Sequence, residues 1–569
     1  NSLVQLESGA FPLIDQLKSF WNKRMHPNMN LFIDQLQGKA LKLLKGEELD
    51  PDWQKYTESE TGEIDLTIAH DVQLVLEVLE GKLLFTKEIL QAVSESYLEG
   101  WPAFQLKLLL QLAYLKGECQ LYPGIAYLGQ GKLVCVRCGT STNIETMSCI
   151  DCNGSCFYCE ECQTMGESKL CRPLYGVTGN SLGPKDEEMQ VIPQLCFSLT
   201  KAQQDASEEV LEFVELEERR EALVWAVCGA GKTEVSFAAI SQVLQQGGRV
   251  LFAIPRRDVV LELLPRLEKA FPQVEIIALY GGSQGKYAPA QLVVATTHQV
   301  IRFYRQFDLV VLDEVDAYPY KDNQMLHYAV WRAKKEGGKI IFMSATPSKE
   351  MYQKAKKGKM KLIHIPARHH GYPVPEPVIL TGNHCKVQQD GKVVFSKEVL
   401  KFIHKTIEGD LAQLFIFTPS VYLTEQVGKS LKHRLQLPPF NDFAGEWVAY
   451  SHSRDPERDE KRIGFAAGEY PVLVSTTIME RGITMARANV LVLFANYQKI
   501  FDEGTLVQMA GRAGRSGIYP NGKVMFVGDK PSAAMEEAVA RIKEQNQEAQ
   551  GRGYLRESPQ LARNSWGLK

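Results

Sequence analysis

Long apolar runs are what this sequence most conspicuously lacks: nowhere do eighteen apolar residues follow one another, so no stretch reads as a bilayer-spanning helix. The opening Asn1-Ser2-Leu3 has neither the basic start nor the apolar core of a secretory leader or transit peptide. A soluble, cytoplasmic protein is the expectation. Excess charge is missing too, with a net of only −3 over 569 residues, so affinity for a polyanion must come from local basic surface and not from a global field. Cysteine is sparse except in one place: eight of the twelve lie between Cys135 and Cys171. In a cytosolic chain such clustering favours metal over disulfides.

The length exceeds one core, and about 150 residues per domain predicts three or four units. Helical periodicity over Asp71–Glu80 and Phe104–Leu115, with no visible chemistry, marks residues 1–130 as an accessory domain. The cysteine module occupies 131–175, and a linker at 176–195 opens on a Gly-, Asn-, Ser- and Pro-rich stretch. From Leu199 onward short apolar runs alternate with amphipathic segments: Leu223–Val227, Val250–Ile254, Val274–Leu279, Leu292–Ala295, Leu309–Leu312 and Ile340–Met343. The grammar repeats at Leu414–Phe417, Val472–Ser475, Val490–Phe494 and Lys523–Val527. Continuous runs of this length are typical of parallel strands buried on both faces, so the fold class is α/β, with tandem units at 196–370 and 371–569. Pro366, Pro373, Pro375 and Pro377 mark their junction.

The first unit carries Ala226-Val227-Cys228-Gly229-Ala230-Gly231-Lys232-Thr233 between an apolar run and a helix opening at Glu234. Glycines at a strand-to-helix turn let backbone N–H groups approach phosphate, Lys232 can reach the β and γ phosphates, and Thr233 can bind Mg²⁺. Gly229, Ala230, Gly231, Lys232, Thr233 and Glu234 are therefore the nucleotide-binding candidates. Leu309–Leu312 delivers Asp313 to a strand end as the magnesium partner, with Glu314 placed to polarise water and Asp316 to reach neighbouring motifs. Late in the second unit, Gln508, Arg512 and Arg515 are expected on one helical face, aimed across a cleft at the γ phosphate. Lys354, Lys356, Lys357, Lys359 and Lys361, with Arg368, His369 and His370 nearby, form an acid-free basic run fit to meet phosphates or, alternatively, a solvated helix or hairpin.

Cys135-x-x-Cys138-Gly139 has zinc-knuckle spacing, and Cys149-x-x-Cys152, Cys156-x-x-Cys159 and Cys159-x-x-Cys162 overlap downstream of it, with Cys171 alone. Eight thiolates can form two Cys₄ sites for Zn²⁺. Spacing does not fix the pairing; the preferred arrangement is nested, with Cys135, Cys138, Cys159 and Cys162 in one site and Cys149, Cys152, Cys156 and Cys171 in the other. Such closed sites ordinarily fold a small domain and do no catalysis.

The segment from Leu199 to about Gly528 resembles superfamily 2 helicases and translocases, which implies two RecA-like domains and ATP-driven work on nucleic acid. By that resemblance Gln203, within Leu199-Thr200-Lys201-Ala202-Gln203, reads adenine. Arg256, Thr297, His298, Thr476, Thr477 and Arg481 grip the nucleic-acid backbone, and Ser344 and Thr346 of Ser344-Ala345-Thr346 couple hydrolysis to movement. Asp313-Glu314-Val315-Asp316 departs from the Asp-Glu-Ala-Asp of the commonest RNA helicases. With the zinc module ahead of Cys228-Gly229-Ala230-Gly231-Lys232-Thr233-Glu234, and Tyr158-Cys159-Glu160-Glu161-Cys162 within it, residues 75–569 resemble the ComFA-type competence DNA-uptake ATPases. The resemblance implies a cytoplasmic ATPase at the inner face of the membrane that draws single-stranded DNA through an uptake channel, with a phosphoribosyltransferase-like competence protein as partner. Two rivals stand beside it. A primosomal replication-restart helicase carries its cysteines inside the second motor unit, whereas here Ser344 to Arg515 holds only Cys385. A nucleotide-switched zinc adaptor without motor activity would not need Lys232, Glu314, Arg512 and Arg515 together.

Overall fold

An apolar run with no polar alternation buries both faces only if helices cover the sheet on each side. In the computed structural model, which describes residues 64–96, 103–128, 131–179, 191–216, 218–436, 447–477 and 485–556, these runs build two such sheets. The first has seven strands in the order Ile276–Leu279, Leu292–Thr296, Val250–Ile254, Phe307–Leu312, Lys334–Ser344, Glu221–Ala226 and Lys361–Ile365, each neighbouring pair parallel. The second has six, in the order Val378–Thr381, Val524–Gly528, Ala488–Leu493, Gln413–Phe417, Val472–Ser475 and Val448–Ser451, again all parallel. These are the tandem RecA-like domains. Of the strands in these two sheets, three escaped the sequence reading, and each lies at a sheet edge: Lys361–Ile365, Val378–Thr381 and Val448–Ser451. Edge strands need less apolar sequence, and Lys361–Ile365 carries Lys361 and His364.

The chain divides into two compact units, 1–74 and 75–569. Of the first, only the opening turns of the helix Ile64–Leu79 are described. In the second unit the helices Thr86–Ser96 and Ala103–Leu115 precede the cysteine module. The boundary expected at 130/131 is crossed by a shared antiparallel sheet: Pro173–Val177, beyond the last cysteine, lies between Lys82–Phe85 and Gln120–Pro123. Accessory segment and cysteine module are thus one folded body over this stretch. Of the expected linker, residues 180–190 lie outside the described residues.

Two hairpins carry most of the cysteines, Ile125–Tyr127 with Leu133–Cys135 and Ile144–Cys149 with Gly154–Cys159. The module docks on the first motor sheet through buried Arg332 of the helix Gln324–Ala333. Its guanidinium donates to the carbonyls of Val136 (3.1 Å), Arg137 (2.7 Å) and Ile301 (2.5 Å). Tyr328, one turn earlier, lies against Gly139, where a Cβ would stand 2.6 Å from its ring; Gly139 has φ +77°, which a side chain would resist. Tyr122 and Tyr304 share a 2.8 Å hydrogen bond at the same junction.

Candidate nucleotide site and cysteine centres

The phosphate loop follows strand Glu221–Ala226, with Gly229 and Gly231 at φ +84° and +76°, a backbone that Gly adopts without strain. It leads into Lys232–Val235 and, after Ser236, Phe237–Gln245. Gly231 packs so tightly on Gln203 that a Cβ would lie 2.4 Å from its Nε2. Gln203 is held at both ends of its amide. Its Oε1 accepts from the Thr200 amide and hydroxyl at 2.9 and 3.1 Å, closing a capping box on the helix Lys201–Glu215, and its Nε2 donates to Ala230 O at 2.9 Å. The side chain expected to read adenine therefore ties a helix start to the phosphate loop.

Lys232 Nζ donates to Asp313 Oδ1 at 2.9 Å, and the same oxygen accepts the Glu314 amide at 2.8 Å. Burial opposes the lysine charge, but Asp313, Glu314 and Asp316 outweigh it and hold Lys232 above its ordinary range. Glu314 stands at φ +54°, a left-handed backbone that a non-glycine residue rarely adopts. Glu234 pairs with Arg266 beside the loop, and Thr233 is buried.

The second motor unit closes the site. A cavity of about 180 Å³ lies between the phosphate loop, Asp313 and Glu314 on one side and Gln508, Gly511, Arg512 and Arg515 on the other. The helix Glu503–Ala510 ends before the arginines, so Arg512 and Arg515 sit in the turn that follows and not on the helical face expected for them. Gln508, still on the helix, bonds to Asp316 Oδ2 and donates to Thr346 Oγ1 at 2.9 Å. Ser344 Oγ and Thr346 Oγ1 donate to the two oxygens of Asp316 at 2.6 and 2.8 Å. Asp316, Ser344, Thr346 and Gln508 thus form one polar cluster that spans both motor units, with a single carboxylate at its centre.

The residues expected to hold nucleic acid follow strand ends: Arg256, Thr297 and His298 lie past the paired strands Val250–Ile254 and Leu292–Thr296, and Thr476 and Thr477 lie past Val472–Ser475 in the second motor unit. Arg256 is half-buried at the start of helix Arg257–Ala270. Thr297 is fully buried with its hydroxyl unpartnered, and its amide donates to Ile254 O, so it cannot touch an external strand in this arrangement. His298 is half-buried, and burial pushes its pKa down. Thr476 and Thr477 follow strand Val472–Ser475, half-buried, and Arg481 lies outside the described residues. The basic run divides between helix Lys349–Lys356 and strand Lys361–Ile365, with Lys354 paired to Glu221 and Lys361 to Glu212. Arg368 and His370, expected beside it on the surface, are buried under the arginine turn.

The eight sulfurs gather in the nested arrangement, Cys135, Cys138, Cys159 and Cys162 in one group and Cys149, Cys152, Cys156 and Cys171 in the other, those within each group lying within 4.8 Å of one another. The distances Cys135–Cys162 (3.6 Å), Cys138–Cys159 (3.5 Å) and Cys149–Cys171 (3.7 Å) match the ~3.8 Å separation implied by Zn–S bonds of about 2.3 Å at tetrahedral angles. The donor set fits zinc, and the first group, fully buried, is closed to substrate.

Three family models match the chain: the competence protein ComFA N-terminal domain over 71–176, the DEAD/DEAH box helicase domain over 200–354 and the helicase conserved C-terminal domain over 398–517. Competence protein ComFA of Bacillus subtilis strain 168 is 38% identical over 418 residues, 73% of this chain and 85% of that protein. The chain belongs to the ComFA family. ComFA of Streptococcus pneumoniae R6 is 35% identical over 422 residues, 74% of this chain and 92% of its own length. Replication restart protein PriA of Bacillus subtilis is 27% identical over 233 residues, 38% of this chain. As a ComFA-family chain with both helicase domains, it is a helicase- or translocase-type ATPase associated with competence, and its helicase domains imply nucleic-acid binding. Among the described residues, no helix is long and apolar enough to cross a membrane.

Proposed function

We propose that this chain is an ATP-driven translocase of single-stranded DNA that draws transforming DNA into the cytoplasm at the inner face of the cell membrane. The observation that carries the reading is the cavity shared by two RecA-like units, with phosphate loop and acidic strand end on one side and two arginines on the other. Lys232 and the loop amides would bind the triphosphate, Thr233 and Asp313 would hold Mg²⁺, and Glu314 would take the proton of the attacking water. Magnesium, when bound, neutralises charge on the β and γ phosphates. Arg512 and Arg515 stabilise charge developing on the transferred phosphoryl group. Ser344, Thr346 and Gln508, converging on Asp316, pass the occupancy of the site between the units.

Arg256, His298, Thr476, Thr477 and Arg481 are proposed as strand contacts, Gln203 as the reader of adenine that also supports the nucleotide loop, and the two cysteine groups as sites for two zinc ions. A phosphoribosyltransferase-like competence protein and the DNA-uptake channel are the proposed partners. The test is ATP hydrolysis with single-stranded DNA, duplex DNA and RNA in parallel. Single-stranded DNA should stimulate most; equal turnover without any nucleic acid removes the motor reading.

A further inference from the structure

The junction between the motor units looks from sequence like a proline-rich connector, yet it contains one of the largest fully buried side chains among the described residues, Arg368, at 1% exposure. Its guanidinium enters the turn that follows the helix Glu503–Ala510. Nη1 donates to Ala513 O at 2.9 Å and to Gly514 O, and Nη2 donates to Gly511 O at 3.1 Å. His370 Nε2 reaches Gly514 O as well, at 3.2 Å. The neighbouring residue faces the other way: the His369 amide and ring Nδ1 both approach Gly229 O of the phosphate loop, at 3.1 and 2.8 Å, and against a carbonyl both must donate. Two successive residues of the junction therefore grip the two halves of the nucleotide site.

A buried cation facing three converging carbonyls makes charge-assisted bonds, and the planar fork of arginine satisfies several acceptors in a fixed geometry that an ammonium does not match. With its carbonyls turned inward onto Arg368, the turn is held in one shape beside the phosphate loop. A Cβ on Gly229 would lie 3.7 Å from Arg515 Cγ and 3.9 Å from Arg368 Cγ, so both arginines border the same glycine. We infer that Arg368 is a positioning residue for ATP hydrolysis, which, with His369, fixes the Arg512–Arg515 turn at a set distance from the phosphate loop. The inference rests on the motor reading. It makes the junction a part of the nucleotide site and not merely a tether between domains, and its effect runs through Arg512 and Arg515 and not through contact with the nucleotide.

Steady-state hydrolysis with saturating single-stranded DNA, beside binding of a fluorescent ATP analogue, tests it with R368A, R368K, R512A and the double variant R368A/R512A. A misplacement of about 1 Å at a reacting centre costs about 10²-fold in rate, and R368A should lose kcat on that scale while nucleotide affinity stays within about threefold. R368K, keeping the charge without the fork, should recover part of the rate; it also carries the comparison should R368A fail to fold. Because Arg368 acts through the turn, its removal should slow R512A, which keeps Arg515, by much less than it slows the wild type. Multiplying losses in the double variant, unchanged kcat in R368A with only a lowered Tm, or affinity falling in step with kcat would each overturn the role. A wild-type chain without nucleic-acid-stimulated turnover would sink the motor reading itself, which separates that failure from failure of the Arg368 role alone.

Discussion

Glu314 combines an acid beside the phosphate loop with a left-handed backbone, φ +54°, that costs of order 1 kcal/mol or more for a residue with a Cβ. Its amide is fixed to Asp313, whose other partner is Lys232, so three charged residues share one short hydrogen-bonded path. In Lys232→Ala nucleotide engagement should be lost, whereas Glu314→Gln should bind ATP and not turn it over; analogue binding beside phosphate release separates the two. Unchanged turnover in Glu314→Gln would move the base elsewhere. His370 supplies a pH dependence. Burial first, then Arg368 and His369, lower its pKa from 6.5 to about 4. The folded chain thus refuses a proton that the unfolded chain accepts, and His370 contributes stability that is present above 6.5 and lost as pH falls toward 4. His370→Gln should flatten this part of the profile: between pH 7 and about 5, wild type should lose more Tm than the variant.

At the scale of the element, the helix Glu503–Ala510 stops where it meets the phosphate loop. An added Cβ at Gly511 would come 2.4 Å from Cys228 Cβ and 2.7 Å from its Sγ, so only glycine lets the arginine turn approach. Gly511→Ala should therefore slow hydrolysis sharply, and Cys228→Gly placed beside it should restore part of the rate. A bulky alkylating reagent on Cys228 should likewise inhibit, with bound nucleotide protecting; equal sensitivity in Cys228→Ser would point to the zinc-ligand thiols instead. The contrast with what sequence could reveal is physical. Runs such as Val250–Ile254 announce themselves because both faces are buried, while Lys361–Ile365 hides at an edge where polar residues are tolerated. The phosphate loop and Asp313 depend on local order along the chain and were legible. Arg368 depends on a turn some 145 residues away, and nothing in Pro366-Ala367-Arg368-His369-His370 signals burial. The same holds for Gln203, whose motif was visible but whose partners, Thr200 and Ala230, were not.

In the whole molecule the cysteine groups settle a choice that spacing left open, because only the stacking of two hairpins brings Cys135 and Cys138 to Cys159 and Cys162. Elemental analysis of the purified chain should find two zinc ions; one would mean that one group binds none, and zero with intact folding would remove zinc altogether. Replacing Cys135 and Cys138 with Ser should disorder the module and weaken DNA or partner binding, while basal hydrolysis falls less than in Lys232→Ala, as measured by binding and turnover on the same preparations.

Arg332 fastens this module to the strands and helices of the first motor unit, as do Tyr328 and the Tyr122–Tyr304 pair. Two similar motor halves are thereby made unequal. On the proposed motor reading, a module held by a partner would make the first half the stator and the second the moving arm, so that each stroke would be delivered against a fixed footing. The stroke would then be measurable as displacement of residues 371–569 relative to the zinc module, with residues 196–370 standing still.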